Sequence, residues 1–265
     1  MVVRRPRPSR NWSVPHDFNY DVVREVGHRP WPMPDGPWVF TQTWRELLFA
    51  HWPVDAERLR SLVPLPFELD LFDNEAWIGV VPFQMSNVSP RGVPSLPRMS
   101  AFPEVNVRTY VRVGDKPGVF FFSLDAASSV AVRAARLLLN MPYHLADMTL
   151  TPLLDSVVDF WSTRRTGGAE LVVRYRPARP AVRAEPGSLE YFLTERYCLY
   201  QVSRRGVPYR LEIHHSPWLL QTATVDFARE TLTAAAGLSV SGPALVHFSK
   251  RQDTVAWAPE SVLEP

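Results

Sequence analysis

Apolar and polar residues alternate with a period of two along much of this 265-residue chain, which predicts strands. The clearest run is Glu104-Val105-Asn106-Val107-Arg108-Thr109-Tyr110-Val111. It places Glu104, Asn106, Arg108 and Tyr110 on one face and Val105, Val107, Thr109 and Val111 on the other. Gly114 to Gly118 reads as a turn, and Val119 to Asp125 as the returning strand. There Phe120, Phe122 and Leu124 share one face, while Phe121, Ser123 and Asp125 share the other. Aromatic residues on both faces predict a strand covered on both sides. Further strand-like runs lie at 38–44, 143–150, 154–162, 170–176, 195–203, 207–214, 218–226 and 244–257. Residues 67–71 and 76–83 read as a hairpin around Asp73-Asn74.

Helical spacing is confined to short stretches. Asp55 can cap a helix over 55–63, and Ser128 one over 128–139 with a stripe at Val132, Ala135, Leu138 and Leu139. Two more are expected near 188–193 and 227–236. Residues 84–103 contain Pro90, Pro94, Pro97 and Pro103 and read as a long loop of the kind that covers binding sites. Many strands with few helices predict an α+β fold: a closed, mostly antiparallel sheet with a few peripheral helices. Residues 1–36, rich in Pro and Arg, read as a flexible N-terminal arm, and 37–265 as a single domain.

Composition narrows the function classes. The 26 prolines against 12 glycines fit stiff turns between strands. A formal charge of +2 argues against a nucleic-acid partner. No apolar run reaches membrane-spanning length, so no membrane partner is expected. The start lacks an apolar signal core, and the single cysteine, Cys198, cannot form an internal disulfide. Both point to the cytoplasm. Of the 29 cationic residues only Lys116 and Lys250 are lysines. Arginine stays protonated, so chemistry that needs a tunable lysine is nearly excluded. A GC-rich genome would produce the same arginine excess.

The polar face of 104–111, beside a strand covered on both sides, predicts a polar-lined pocket. Ser123 and Asp125 are candidates to join it, and charges in such a pocket would need partners, so a Glu104–Arg108 pair is expected. Glu195 and Tyr197 share a face further on, as do Glu212 and His214 together with Arg210. Two such ligands are too few for zinc, so no metal is expected, and a hydrogen-bonded structural role is the competing reading for His214. Cys198 reads as a small buried side chain. No GxSxG, Walker or Rossmann pattern occurs, so no cofactor is expected.

Several of these residues also carry a resemblance. Trp31-Pro32-Met33-Pro34 through Thr41-Gln42-Thr43-Trp44, Leu48-Phe49-Ala50-His51-Trp52, Asn106 to Val111, Phe121 to Ala126, Glu195-Arg196-Tyr197 and His214-His215-Ser216-Pro217-Trp218 resemble the YqjF-like family of uncharacterised bacterial proteins. The resemblance spans about 30–257 and implies the acetoacetate decarboxylase-like fold, a closed, mostly antiparallel barrel with an internal cavity. In the decarboxylase a strand glutamate is followed by a helix ending in Gly-Arg-Glu and then by Pro-Lys-Lys, whose first lysine forms the Schiff base. Here Glu104 resembles the glutamate, Ala135-Arg136-Leu137 keeps only Arg136, and Pro142-Tyr143-His144 replaces both lysines. The resemblance therefore implies the fold without the imine chemistry.

The resulting expectation is a pocket mouthed by Glu104, Arg108, Tyr143 and His144 that takes a small organic ligand, a carboxylate among the options. Glu104, His144 and Tyr143 would act as acid, base and hydrogen-bond donor in lysine-independent lyase, hydratase or isomerase chemistry on an oxo acid. Asn106, Arg108, Tyr110, Ser123, Asp125, Arg136, Glu195, Tyr197, Glu212 and His214 would line or support it. A non-catalytic binding barrel and an interaction protein using the arm are the alternatives. Homo-oligomerisation is left open.

Overall fold

The computed structural model describes residues 17–93 and 101–263. Its strands are β1 (Phe40–Val54), β2 (Glu68–Leu69), β3 (Ala76–Pro90), β4 (Phe102–Val113), β5 (Lys116–Ala126), β6 (Tyr143–Pro152), β7 (Val158–Arg164), β8 (Glu170–Pro177), β9 (Val182–Arg183), β10 (Cys198–Val202), β11 (Pro208–His215), β12 (Leu219–Glu230), β13 (Leu245–Ala256) and β14 (Glu260–Ser261). The helices are α1 (Ala56–Arg60), α2 (Ser129–Leu139), α3 (Leu189–Thr194) and α4 (Leu232–Ala235). Asp55, Ser128 and Ser188 cap the first three by accepting from backbone N–H groups one turn on. No helix among the described residues is long and apolar enough to cross a membrane.

The strand pairing runs in two closed circuits. One passes through β5, β4, β3, β1, β13, β11 and β10 and returns to β5. The other leaves β5 through β6, β7, β8 and β12 and rejoins at β13. All pairings are antiparallel except β5 with β6 and β5 with β10. At the second of these, Gly118 lies so close to the Cys198 carbonyl that a Cβ would sit 2.6 Å from it, so only glycine lets β10 approach.

Strands β1, β3, β4, β5 and β13 belong to both circuits, so their two faces have different tasks. Leu48, Ala50, Ile78, Val80, Val105 and Val107 point into the second circuit. There they pack with Leu150, Phe160, Leu171, Val173, Tyr175 and Phe248 into the largest apolar core. The opposite face turns into the first circuit. Bulges adjust which residues take part. Against β3, β1 carries one extra residue between Arg45 and Ala50, where Glu46 has φ 50°, so Phe40, Gln42 and Trp44 hand over to Leu47 and Phe49 on the same side.

Several expectations are corrected. Gln84 to Pro90 belong to β3, which pairs with β1 almost to its end. Buried Gln84, Ser86, Asn87 and Ser89 gave that stretch a loop-like composition, and most of them bond locally or across to β1 and Asp17. Of the expected loop, 94–100 lie outside the described residues. The hairpin partner is different too: β2 pairs with β4, and only the Phe72–Glu75 bridge closes around Asp73-Asn74. The helix expected at 227–236 shrinks to α4, because Phe227 to Glu230 pair with β8.

Part of the segment expected to be an arm packs on the domain. Residues 1–16 lie outside the described residues, but 17–36 are docked on the domain. Phe18 and Val22 are buried against Val255 and Trp257. Asp17 bonds Arg45, Asn87 and Arg251, which hold its carboxyl down at about 2 against the opposing effect of burial. Arg29 reaches Glu212 at 2.9 Å with both side chains buried.

Candidate functional site

A cavity of about 360 Å³ lies inside the first circuit. Along β4 its wall is Glu104, Asn106 and Arg108 of the predicted polar face, preceded by Phe102. Each step of two residues advances about 6.6 Å, so these side chains form a ladder along the cavity. Tyr110, next on that face, is fully buried and does not line the cavity. Its hydroxyl donates to the Leu193 carbonyl at 2.9 Å and lies 2.7 Å from His51 Nε2. The other end opens beside Phe40, Pro90 and α2, where Leu138 lines the cavity while 81% exposed. Most of the remaining wall is apolar: Trp44, Phe49, Phe83, Phe121, Leu139 and Trp218 are among it.

Glu104 is 2% exposed and accepts from the Tyr143 hydroxyl at 3.0 Å. Burial pushes its carboxyl up to about 8, with nearby Asp125 adding to the rise and the Tyr143 bond opposing it. The expected Glu104–Arg108 ion pair does not form. Four residues of strand separate their Cα atoms by roughly 13 Å, and Glu104 has taken a neutral partner instead. Its charge is thus suppressed rather than compensated.

This shift has a sign in stability. The folded state holds the Glu104 proton above the pH at which the unfolded chain loses it, so folding is progressively disfavoured as pH rises from about 4.5 to about 8. The slope is about 1.4 kcal/mol per pH unit where the difference is complete. We expect E104Q, which cannot ionise, to gain thermal stability relative to the wild type as pH increases across that window. Parallel melting-temperature profiles for the two proteins would overturn this assignment.

Arg108 donates to the Leu193 carbonyl at 3.1 Å and lies over the Phe49 ring at 5.2 Å. Among the described residues no carboxylate pairs with it, and its buried Nε has no partner. Beside it on the cavity wall, Arg196 is held by Asp70 at 2.5 Å and by the Phe192 carbonyl. Asn106 Oδ1 and the indole nitrogens of Trp44 and Trp218 are also buried without partners on this wall. The cavity wall therefore carries one cation without a carboxylate partner among the described residues, at Arg108, and several free hydrogen-bonding atoms.

The remaining predicted residues lie elsewhere. His144 does not line the cavity. On β6 it alternates with Tyr143 and stands in register with Asp125, and burial with Arg164 and Arg136 nearby lowers its pKa to about 4. Ser123 and Asp125 face away because Phe122 is an extra residue opposite β4, which turns Phe121 and Leu124 inward. Asp125 forms a buried pair with Arg164 at 2.9 Å. Arg136 is exposed and bonds the Tyr143 carbonyl at 2.6 Å, fixing the start of β6. Glu195 accepts from Tyr197 and from the Trp218 backbone, a structural knot behind the wall. Glu212 binds Arg29, Lys116 and Trp31, and His214 bonds the Val22 carbonyl, so both anchor the N-terminal segment. Thr194, Arg196 and His215 line the cavity but were not singled out.

Neither lysine reaches the cavity. Lys116 pairs with Glu212, and Lys250, largely exposed, pairs with Glu46.

The comparisons agree with this architecture. A family model, DUF2071, described as an uncharacterized conserved protein, matches residues 41–253. The uncharacterized protein YqjF of Bacillus subtilis (strain 168) is 45% identical over 228 residues, 85% of this chain and 93% of its own length. An acetoacetate decarboxylase from Legionella pneumophila superposes with a TM-score of 0.61 at 14% identity, covering 91% of this chain and 95% of that one. The enduracididine biosynthesis enzyme MppR, solved complexed with pyruvate, gives a TM-score of 0.60 at 11% identity, covering 87% of this chain and 92% of that one. At these identities the likeness to the solved structures is one of fold.

Proposed function

From the premise that this chain belongs to the DUF2071 family and shares the fold of acetoacetate decarboxylase, we propose that it binds an oxo carboxylate in a closed barrel and transfers a proton on it without an imine. The observation that carries this reading is Arg108, a cation on the cavity wall with no carboxylate partner among the described residues. A ligand carboxylate supplies what the protein withholds, in a fork geometry guanidinium suits well. The Glu104 carboxyl, raised to about 8, is predominantly protonated at neutral pH and is an acid for a carbonyl or enolate oxygen. Tyr143 spends its hydroxyl proton on Glu104, so its role is to orient that carboxyl rather than to touch the ligand. With His144 outside the cavity, the proton chemistry rests on Glu104 alone.

The absence of lysine from the cavity wall supports chemistry through a free carbonyl. The test is solvent deuterium exchange into the carbon next to the carbonyl of an oxo acid, followed by NMR. Exchange is expected with wild type, to fall at least tenfold in E104Q, and to proceed without an adduct on borohydride treatment. A reduced adduct on Lys116 or Lys250 would sink the imine-free reading. Binding without exchange would instead support a non-catalytic binding protein. That second reading is favoured by the surroundings of Glu104: among the described residues its titratable neighbour on the wall, Tyr143, already commits its hydroxyl proton to Glu104.

A further inference from the structure

The ladder on β4 gives the cavity a direction. Behind its inner end Tyr110 and His51 are bonded to each other and both 0% exposed, and Arg108, Arg196 and Asn106 line the wall in front of them. Beyond Glu104 the wall is mostly apolar, with Phe102 on β4, Phe40 and Trp44 on β1 and Val88 and Pro90 on β3, interrupted by Gln42 and Ser89. From Arg108 to Phe102 is six residues of strand, roughly 20 Å. A three-carbon oxo acid held at Arg108 would leave most of this length and most of the cavity's 360 Å³ empty. Apolar walls around an unfilled space forgo both hydration and packing.

The mouth continues the same chemistry. Leu138 is 81% exposed and yet part of the wall, and Leu137 beside it is 66% exposed. On α2 the wall is Ala131, Ala134 and Ala135 with Leu138 and Leu139 at the last turn, so the helix presents small side chains along most of its length. Small residues leave width for a chain to pass, and an exposed leucine at the exit gains burial only when something apolar lies against it.

Resting on the reading that Arg108 anchors a carboxylate, we infer that the ligand is elongated: an oxo acid with an unbranched apolar tail of medium length. Its carboxylate sits at the inner end, and its tail runs past Glu104 and Phe102 and leaves under α2. The carbonyl carbons nearest the carboxylate then lie between Arg108 and Glu104, where both polar groups reach them. The tail supplies most of the binding, and the polar inner end sets its direction.

A chain-length series tests this by calorimetry on the full chain, using 2-oxobutanoate, 2-oxooctanoate and 2-oxododecanoate, the last long enough when extended to approach Phe102 from Arg108. Each added methylene is expected to tighten binding about fourfold, the equivalent of ~0.8 kcal/mol. The eight-carbon acid should then bind more than a hundredfold tighter than the four-carbon one. In L138D, a change at an exposed position that folding tolerates, the gain from eight to twelve carbons should disappear while the gain from four to eight remains. Equal affinity across the series would overturn the inference and leave carboxylate anchoring intact. Chain-length dependence that is unchanged in L138D would overturn the exit under α2. No binding by any member would overturn the anchoring itself. Octanol binding as tightly as 2-oxooctanoate would overturn it too.

Discussion

Replacing Arg108 by methionine is expected to weaken binding of an oxo carboxylate by about 10- to 150-fold, the equivalent of losing a charge-assisted bond of about 1.5–3 kcal/mol. The same substitution is expected to leave folding stability within about 1 kcal/mol of wild type. Both halves follow from the same observation. Arg108 holds no carboxylate among the described residues, its Nε is buried without a partner, and its one polar bond goes to a backbone carbonyl. Removing it strands no buried anion, and methionine can keep much of the apolar contact with Phe49. Calorimetric titration and thermal melts on the same sample read the two effects. A loss of several kcal/mol of stability would mean that Arg108 is a structural cation, and unchanged affinity would remove it from the site.

The largest effect on stability is expected at Asp125. Its carboxylate takes three hydrogen bonds from Arg164, and the side chains are 1% and 9% exposed. Burial raises the Asp125 pKa above its ordinary value, although the Arg164 hydrogen bonds and charge oppose the rise. D125A leaves the guanidinium buried without a counter-charge and should cost about 3–5 kcal/mol. For a chain of this size that is a fall in melting temperature of roughly 10 °C. The D125L/R164L double variant removes both charges and should recover most of the loss, since an apolar pair of similar volume avoids the desolvation penalty. A cost under about 1 kcal/mol for D125A would show that water reaches Arg164. The pair ties β5 to the end of β7, so the variant also tests how firmly the second circuit is closed.

The contrast between these two arginines marks how far the sequence could be read. Strict alternation in 104–111 sorted that strand correctly, and with it Glu104, Asn106 and Arg108 on the cavity wall. The method failed where the chain departs from a period of two. Phe122 is one residue too many opposite β4, and it turns Asp125 away from the cavity. No composition signal marks that residue, because a phenylalanine suits either face. Glu195 and Arg196 lie between α3 and β10, where strand alternation does not apply, and Arg196 rather than Glu195 reaches the cavity.

On β11 the error was of another kind. Polar Glu212 and His214 were assigned inward, yet Leu211, Ile213 and His215 form the wall. The polar face is buried because residues 28–31 lie over it, with Arg29 and Trp31 satisfying Glu212. A single sequence gives no sign that its own N-terminal segment covers a strand 180 residues away. The lysine count was informative for a simpler reason. Two lysines can be traced individually, and both are committed to glutamates outside the cavity.

The strands shared by the two circuits have one more consequence. Along β4, Val105 and Val107 belong to the filled core, while Glu104, Asn106 and Arg108 belong to the hollow. The strand is in effect two interleaved messages, one read by the folding equilibrium and the other by the ligand. Substitutions at alternate positions should therefore fall into separable classes, and the ligand-facing class can drift over evolutionary time with little penalty to the scaffold. A related protein could keep the whole double circuit and bind something chemically unrelated by rewriting only every second letter.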